Sequence, residues 1–187
     1  MASTPKRRAT PTPRSARAVP PVLVVVSRYN DSITSRLLDG AREQYARAGG
    51  DPSRLAVAEA PGAYELPSLA MAGASSGAWA GVVALGCLIR GETRHDRYIA
   101  EAVAHGLMTV SLVTGIPVAF GVLTTENPAQ ARARAGGSKG NKGAEAMAAV
   151  LESIFAADSL RSGRPPTPPL TPRDRTDKAA TRRGRHA

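Results

Sequence analysis

Between residues 21 and 160 the chain alternates short, uniformly apolar runs with longer stretches in which apolar residues recur every three or four positions. That alternation predicts strands buried on both faces and joined by amphipathic helices, the α/β class. Val22-Leu23-Val24-Val25-Val26 is apolar at every position and rich in β-branched residues, as a central strand should be. Ser32 to Ala48 then places Ile33, Leu37, Ala41 and Tyr45 four apart, a helical stripe stopped by Gly49-Gly50. Leu55 to Ala60 reads as a second strand, Leu66 to Ala78 as a helix and Gly81 to Leu88 as a third strand. Thr93 to Thr114 carries the stripe Ile99, Val103, Leu107 and Val110, opened by Thr93 and Asp96 in capping-box spacing and closed by Gly115. Ile116 to Leu123 reads as a fourth strand, followed by helices near Pro128 to Ala135 and Lys142 to Ala157.

Strand-helix-strand units cross over right-handedly, so the pattern predicts a three-layer α/β/α sandwich around a four-stranded parallel sheet, the flavodoxin-like arrangement. Ligands of such sheets bind beyond the carboxyl ends of the strands. The segments expected there are Ser27-Arg28-Tyr29-Asn30, Ala60-Pro61-Gly62-Ala63-Tyr64-Glu65, Ile89-Arg90-Gly91-Glu92-Thr93-Arg94-His95 and Phe120-Gly121-Val122-Leu123-Thr124-Thr125. Polar, aromatic and glycine residues thus gather at ends that the fold brings together. Turn and capping chemistry alone accounts for such residues about equally well. Gly91-Glu92-Thr93 enters a long helix, where free N–H groups and the dipole make a phosphate seat. It matches neither the nucleoside-triphosphate phosphate loop nor the dinucleotide fingerprint. His95 in that first turn is expected to be neutral and able to exchange protons.

Composition narrows the picture. The 187 residues are 42% apolar and 21% charged, enough for one globular core, and no apolar run approaches a bilayer span or a signal peptide. The expectation is a soluble, unexported, cytoplasmic chain. The lone Cys87 has no disulfide partner and no zinc-ligand spacing around it, so no metal is expected. The net charge of +10 is unevenly placed: residues 1 to 21 contribute +5, residues 161 to 187 contribute +6, and the remainder sums to −1. Ten of the fifteen prolines share those two ends. This divides the chain into basic, Pro-rich tails at 1–20 and 161–187, expected to be disordered, and a folded domain at 21–160. The tails raise nucleic acid as a partner, although no recognition motif accompanies them.

Five pieces in order resemble the lumazine synthases of riboflavin biosynthesis, from about Val22 to Ala157. They are Ser27-Arg28-Tyr29-Asn30 with Ile33-Thr34, Pro61 to Pro67, Leu85 to His95, Phe120 to Asn127, and Asn141-Lys142-Gly143-Ala144-Glu145. The resemblance implies condensation of 5-amino-6-ribitylaminouracil with 3,4-dihydroxy-2-butanone 4-phosphate to 6,7-dimethyl-8-ribityllumazine, with neither metal nor organic cofactor. It further implies that Tyr29 stacks on the pyrimidine, that Asn30 offers an amide to the ribityl or pyrimidine polar groups, that the backbone at Ala63 and Tyr64 and the carboxylate of Glu65 hold the ribityl chain, and that Leu88, Ile89 and Phe120 line the ring pocket. Glu92, Thr93 and Arg134 would take the phosphate, His95 would shuttle protons and Lys142 would add charge near the pyrimidine. Members of this family form pentamers or shells of sixty subunits, with the site between neighbouring chains, so Phe120, Arg134 and Lys142 would come from a second copy. The short glycine-rich turn Gly136 to Asn141 resembles that of shell formers, and riboflavin synthase is a candidate partner.

Asp96 departs from the aromatic residue many relatives carry after the histidine. A catalytically weak cage of the same fold is the competing reading, against which the intact His95, Arg134, Glu65 and Lys142 set counts. Lys139, Arg132 and Arg94 read as solvated charges, His105 as structural or exposed, and Cys87 as a buried strand residue.

Overall fold

The computed structural model describes residues 18–165, so most of both basic tails, at 1–17 and 166–187, lies outside the described residues. Four parallel strands, β1 (Val22–Ser27), β2 (Leu55–Ala60), β3 (Gly81–Ile89) and β4 (Val118–Thr125), form one sheet in the order β2-β1-β3-β4. Val24 of β1 stands level with Val57 of β2 and Val83 of β3, and Ala84 of β3 with Phe120 of β4. This is the predicted flavodoxin-like arrangement.

Alternation along the strands sorts the core into two layers. Val24, Val26, Val83, Leu85 and Cys87 face helices α1 (Asp31–Arg47), α4 (Pro128–Arg134) and α5 (Lys142–Arg161) through Leu37, Tyr45, Ala131, Met147 and Leu151. Leu23, Val25, Val82, Ala84 and Leu88 face α2 (Leu66–Ser75) and α3 (His95–Thr114) through Leu66, Ala70, Val103, Leu107 and Val110. The predicted stripe on α3 is the buried one, with Ile99 at its half-buried margin. Among the described residues, no helix is long and apolar enough to cross a membrane.

Boundaries moved where local chemistry overrode the apolar pattern. The strand expected at Ile116–Leu123 runs instead from Val118 to Thr125, because Pro117 has no N–H and joins the ladder only as acceptor from Val82 N at 2.9 Å. Helix α2 stops at Ser75, three residues before the expected Ala78, where Gly77 turns the chain at φ +74°. Helix α3 starts at His95 rather than Thr93, and α5 continues four residues past Ala157, into the stretch expected to open the C-terminal tail. Two short strands, β5 (Ala135–Gly137) and β6 (Gly140–Asn141), pair antiparallel in the turn between α4 and α5.

Helices α1 and α5 approach so closely that a Cβ on Gly143 would run into the carbonyl oxygen of Leu37. Gly143→Ala must therefore push the two helices apart, at a cost of about 1–3 kcal/mol typical of overpacking. Its urea midpoint should fall clearly below that of the parent; an unchanged midpoint would show that the helices part freely.

Candidate active site

The carboxyl ends of β1, β2 and β3 share one rim of the sheet. After β1, Ser27 is buried and its hydroxyl accepts from Tyr29 N at 3.2 Å, which leaves the Tyr29 ring 70% exposed over the rim. Asn30 follows in the left-handed region at φ 62°, begins α1, and donates its amide to the Cys87 carbonyl of β3 at 2.9 Å. The loop after β1 is thereby tied across to β3, and the amide expected to face substrate is engaged within the protein. After β2, the Glu65 carboxylate accepts from Gly62 N at 2.9 Å and closes a turn that buries Ala63 and leaves Tyr64 64% exposed. Glu65 begins α2 without capping it through its side chain.

Strand β3 overshoots β1: Val26 is level with Leu85, and β3 continues to Ile89. Leu88 is buried there and Ile89 half-buried at the strand's end. Arg90 N still bonds Thr125 O at 2.8 Å, and the Arg90 guanidinium pairs with Glu126 at 2.8 Å across the ends of β3 and β4. Beyond it the backbone N–H groups of Gly91, Glu92, Thr93 and Arg94 make no hydrogen bond to the rest of the described chain. They lead into α3, 20 residues long, whose dipole ends there. The capping box expected from Thr93 and Asp96 does not form: Arg94 occupies the cap position without a side-chain bond, and Thr93 Oγ1 accepts only a long 3.4 Å bond from His95 N. Donors left uncapped by the protein can take an anion. Glu92, Thr93 and His95 are all exposed beside them.

Phe120 and Lys142 lie elsewhere. Phe120 stands level with Ala84, five residues before the end of edge strand β4, roughly 16 Å back along the sheet. It is 43% exposed and lines an open groove of about 720 Å³ with Lys142, Ala146 and Val150. Arg134 ends α4, donating to Gln130 O at 3.2 Å, and Lys142 begins α5 paired with Glu145. One chain thus sets Tyr29, Asn30, Ala63, Tyr64, Glu65, Leu88, Ile89, Glu92, Thr93 and His95 at or just beyond the ends of β1, β2 and β3, Phe120 and Lys142 along the groove beside edge strand β4, and Arg134 at the end of α4.

Lys139, Arg132, Arg94 and His105 are exposed, as expected, and Cys87 is buried in β3, which pushes its thiol up to about 11. Sequence reading assigned no role to Ser27, to the Arg90–Glu126 pair or to Asn141, which caps α5 and donates to Arg36 O at 2.8 Å. The local signal for Asn141 was its residue type just before a helix.

Residues 20–157 match the family model described as 6,7-dimethyl-8-ribityllumazine synthase. Proteins of that name from two strains of Thermus thermophilus are each 50% identical to this chain over 137 residues, covering 73% of it and 87% of the relative.

Two variants separate what Asn30 contributes. Asn30→Gly keeps the left-handed backbone and loses the bond to Cys87, an expected cost of about 0.5–1.5 kcal/mol. Asn30→Ala adds about 1 kcal/mol of backbone strain. Urea unfolding should rank the parent above Asn30→Gly and Asn30→Gly above Asn30→Ala; a reversed order of the variants would remove the backbone argument.

Proposed function

The chain belongs to the 6,7-dimethyl-8-ribityllumazine synthase family, and on that premise we propose how its residues carry the family's reaction. The enzyme condenses 5-amino-6-ribitylaminouracil with 3,4-dihydroxy-2-butanone 4-phosphate, releasing phosphate and water. The observation that carries the assignment of the site is the run of unpaired N–H groups from Gly91 to Arg94 at the head of α3, next to His95. It suits a phosphate monoester held beside a proton carrier.

Tyr29 stacks on the pyrimidine, the turn from Ala63 to Glu65 holds the ribityl hydroxyls, and Leu88 and Ile89 floor the ring pocket. The butanone phosphate sits on Glu92 and Thr93 N–H groups and on Arg134, whose planar fork grips two oxygens. The 5-amino group attacks the ketone and water leaves as the imine forms. Loss of the proton from the hydroxyl-bearing carbon then expels phosphate from the next carbon. The resulting enol takes up a proton at its terminal carbon to become a ketone, and attack by the ribityl-bearing nitrogen on that new carbonyl closes the ring with loss of a second water. His95 accepts and returns the protons. Holding two reactants together supplies most of the acceleration, a contribution of about 7–11 kcal/mol in favourable cases.

The separation of Phe120, with Lys142 beside it, from the rim supports a site completed by a neighbouring copy, the pentamer being the assembly we propose. The exposed Phe120 and the apolar groove along edge strand β4 are surfaces suited to that contact. The compact Gly136–Asn141 turn favours a sixty-subunit shell, and riboflavin synthase, which consumes the product, is the protein partner proposed.

The basic end segments serve a nucleic acid in this reading, away from catalysis. Val19 O and Pro20 O accept from Arg54 and Tyr45 at 3.0 Å, Pro21 O from Ala80 N at 2.9 Å, and Arg161 reaches Gly115 O, so both ends of the domain are tied where the strands begin. The nine residues of β3, roughly 30 Å, lie between them and His95.

His95→Ala should lower kcat by about 10- to 10⁴-fold with little change in KM, whereas Arg134→Ala should chiefly raise KM for the butanone phosphate. Steady-state lumazine formation followed by absorbance checks both; unchanged constants in either variant remove that residue's role. Deleting residues 1–17 and 166–187 should leave kcat within about twofold and abolish salt-sensitive binding of a labelled RNA. Equal RNA affinity of the trimmed and full chains would exclude the tails as its site.

A further inference from the structure

We infer that Asn141 is the positioning residue for Lys142 and Arg134, an inference that rests on the reading of those two cations as substrate-binding groups. Both ends of its side chain are engaged. Oδ1 accepts from Gly143 N at 2.8 Å and Ala144 N at 3.1 Å, capping α5, while Nδ2 donates to Arg36 O of α1 at 2.8 Å. Its backbone pairs with Ala135 across β5 and β6, so Arg134 and Lys142 leave the same rung of that ladder. One side chain therefore fixes the first turn of α5 to α1, and with it the origin of both cationic side chains.

The fit is specific to asparagine. Serine, threonine or aspartate could cap α5, but none can at the same time donate an N–H to a carbonyl on the other side. The seat is shaped for it as well: a Cβ on Gly40 of α1 would collide with the Asn141 amide. Among the described residues Lys142 carries no comparable anchor, since its partner there, Glu145, lies on its own helix and both are partly exposed. Arg134 likewise bonds, among the described residues, only within α4. The rigidity of these two cations comes from the ladder and from Asn141.

The experiment compares Asn141→Ser, which keeps a cap and loses the tie to Arg36, with Gly40→Ala, which displaces the amide without altering Asn141. Arg134→Ala and Lys142→Ala are controls. The expected result is a rise in KM of about tenfold in both test variants, as misplacing a binding group by a fraction of an ångström produces, with the folded fraction still melting cooperatively. KM does not depend on how much enzyme is folded, so a merely structural residue would lower the melting temperature and leave KM unchanged; that result would overturn the positioning role. Should Asn141→Ser fail to fold, Gly40→Ala decides by the same criterion. If Arg134→Ala and Lys142→Ala leave KM unchanged, it is the substrate-binding reading of the two cations that fails.

Discussion

Parallel pairing of β1 with both β2 and β3 is the constraint from which the rest of the molecule follows. Strands that run one way need helical crossovers, and crossovers cover both faces, which is why the strands are apolar at nearly every position. The same direction puts every carboxyl end on one rim. Tyr29, Tyr64 and His95 meet there because β1, β2 and β3 all finish there. It also puts the strand beginnings, where residues 19–21 and Arg161 are tied, at the far edge.

The constraint has a limit, and the limit locates the chemistry. Phe120 belongs to the same sheet but stands in mid-strand on its open edge, where Lys142 of α5 lines the same groove. A single chain presents two surfaces, one with aromatic rings and N–H groups left without partners among the described residues, the other with the Phe120 ring and Lys142. Each has exposed apolar or unsatisfied polar groups that a ligand or another chain would cover.

Much of this was legible in the sequence, for physical reasons that differ by element. Val22–Val26 was readable because a strand buried on both faces admits almost only apolar residues, and the half-buried edge strand Leu55–Ala60 because it too is apolar except at Glu59. The α3 stripe was readable because one helical face meets the core. The start of α3 was not, because Thr93 and Asp96 have cap spacing yet leave the cap unmade. The β4 register hinged on Pro117 lacking an N–H, a one-residue effect beneath the apolar pattern. The β5–β6 pair hid in glycines, Gly136 and Gly140, whose positive φ no periodicity announces. The bond from Asn141 to Arg36 spans 105 residues, and nothing local in the chain predicts its partner.

The most direct test of a site built from two copies is complementation between a chain lacking the rim group, His95→Ala, and a chain lacking the edge group, Arg134→Ala. Each is assayed alone at low butanone phosphate, then after joint unfolding and refolding in equal amounts. Random assembly in a ring leaves about one site in four with an intact His95 from one chain and an intact Arg134 from its neighbour. A site shared between chains predicts that the mixture recovers close to a quarter of the parent activity. A mixture no more active than its two components would contradict it, placing both groups in the same chain's site.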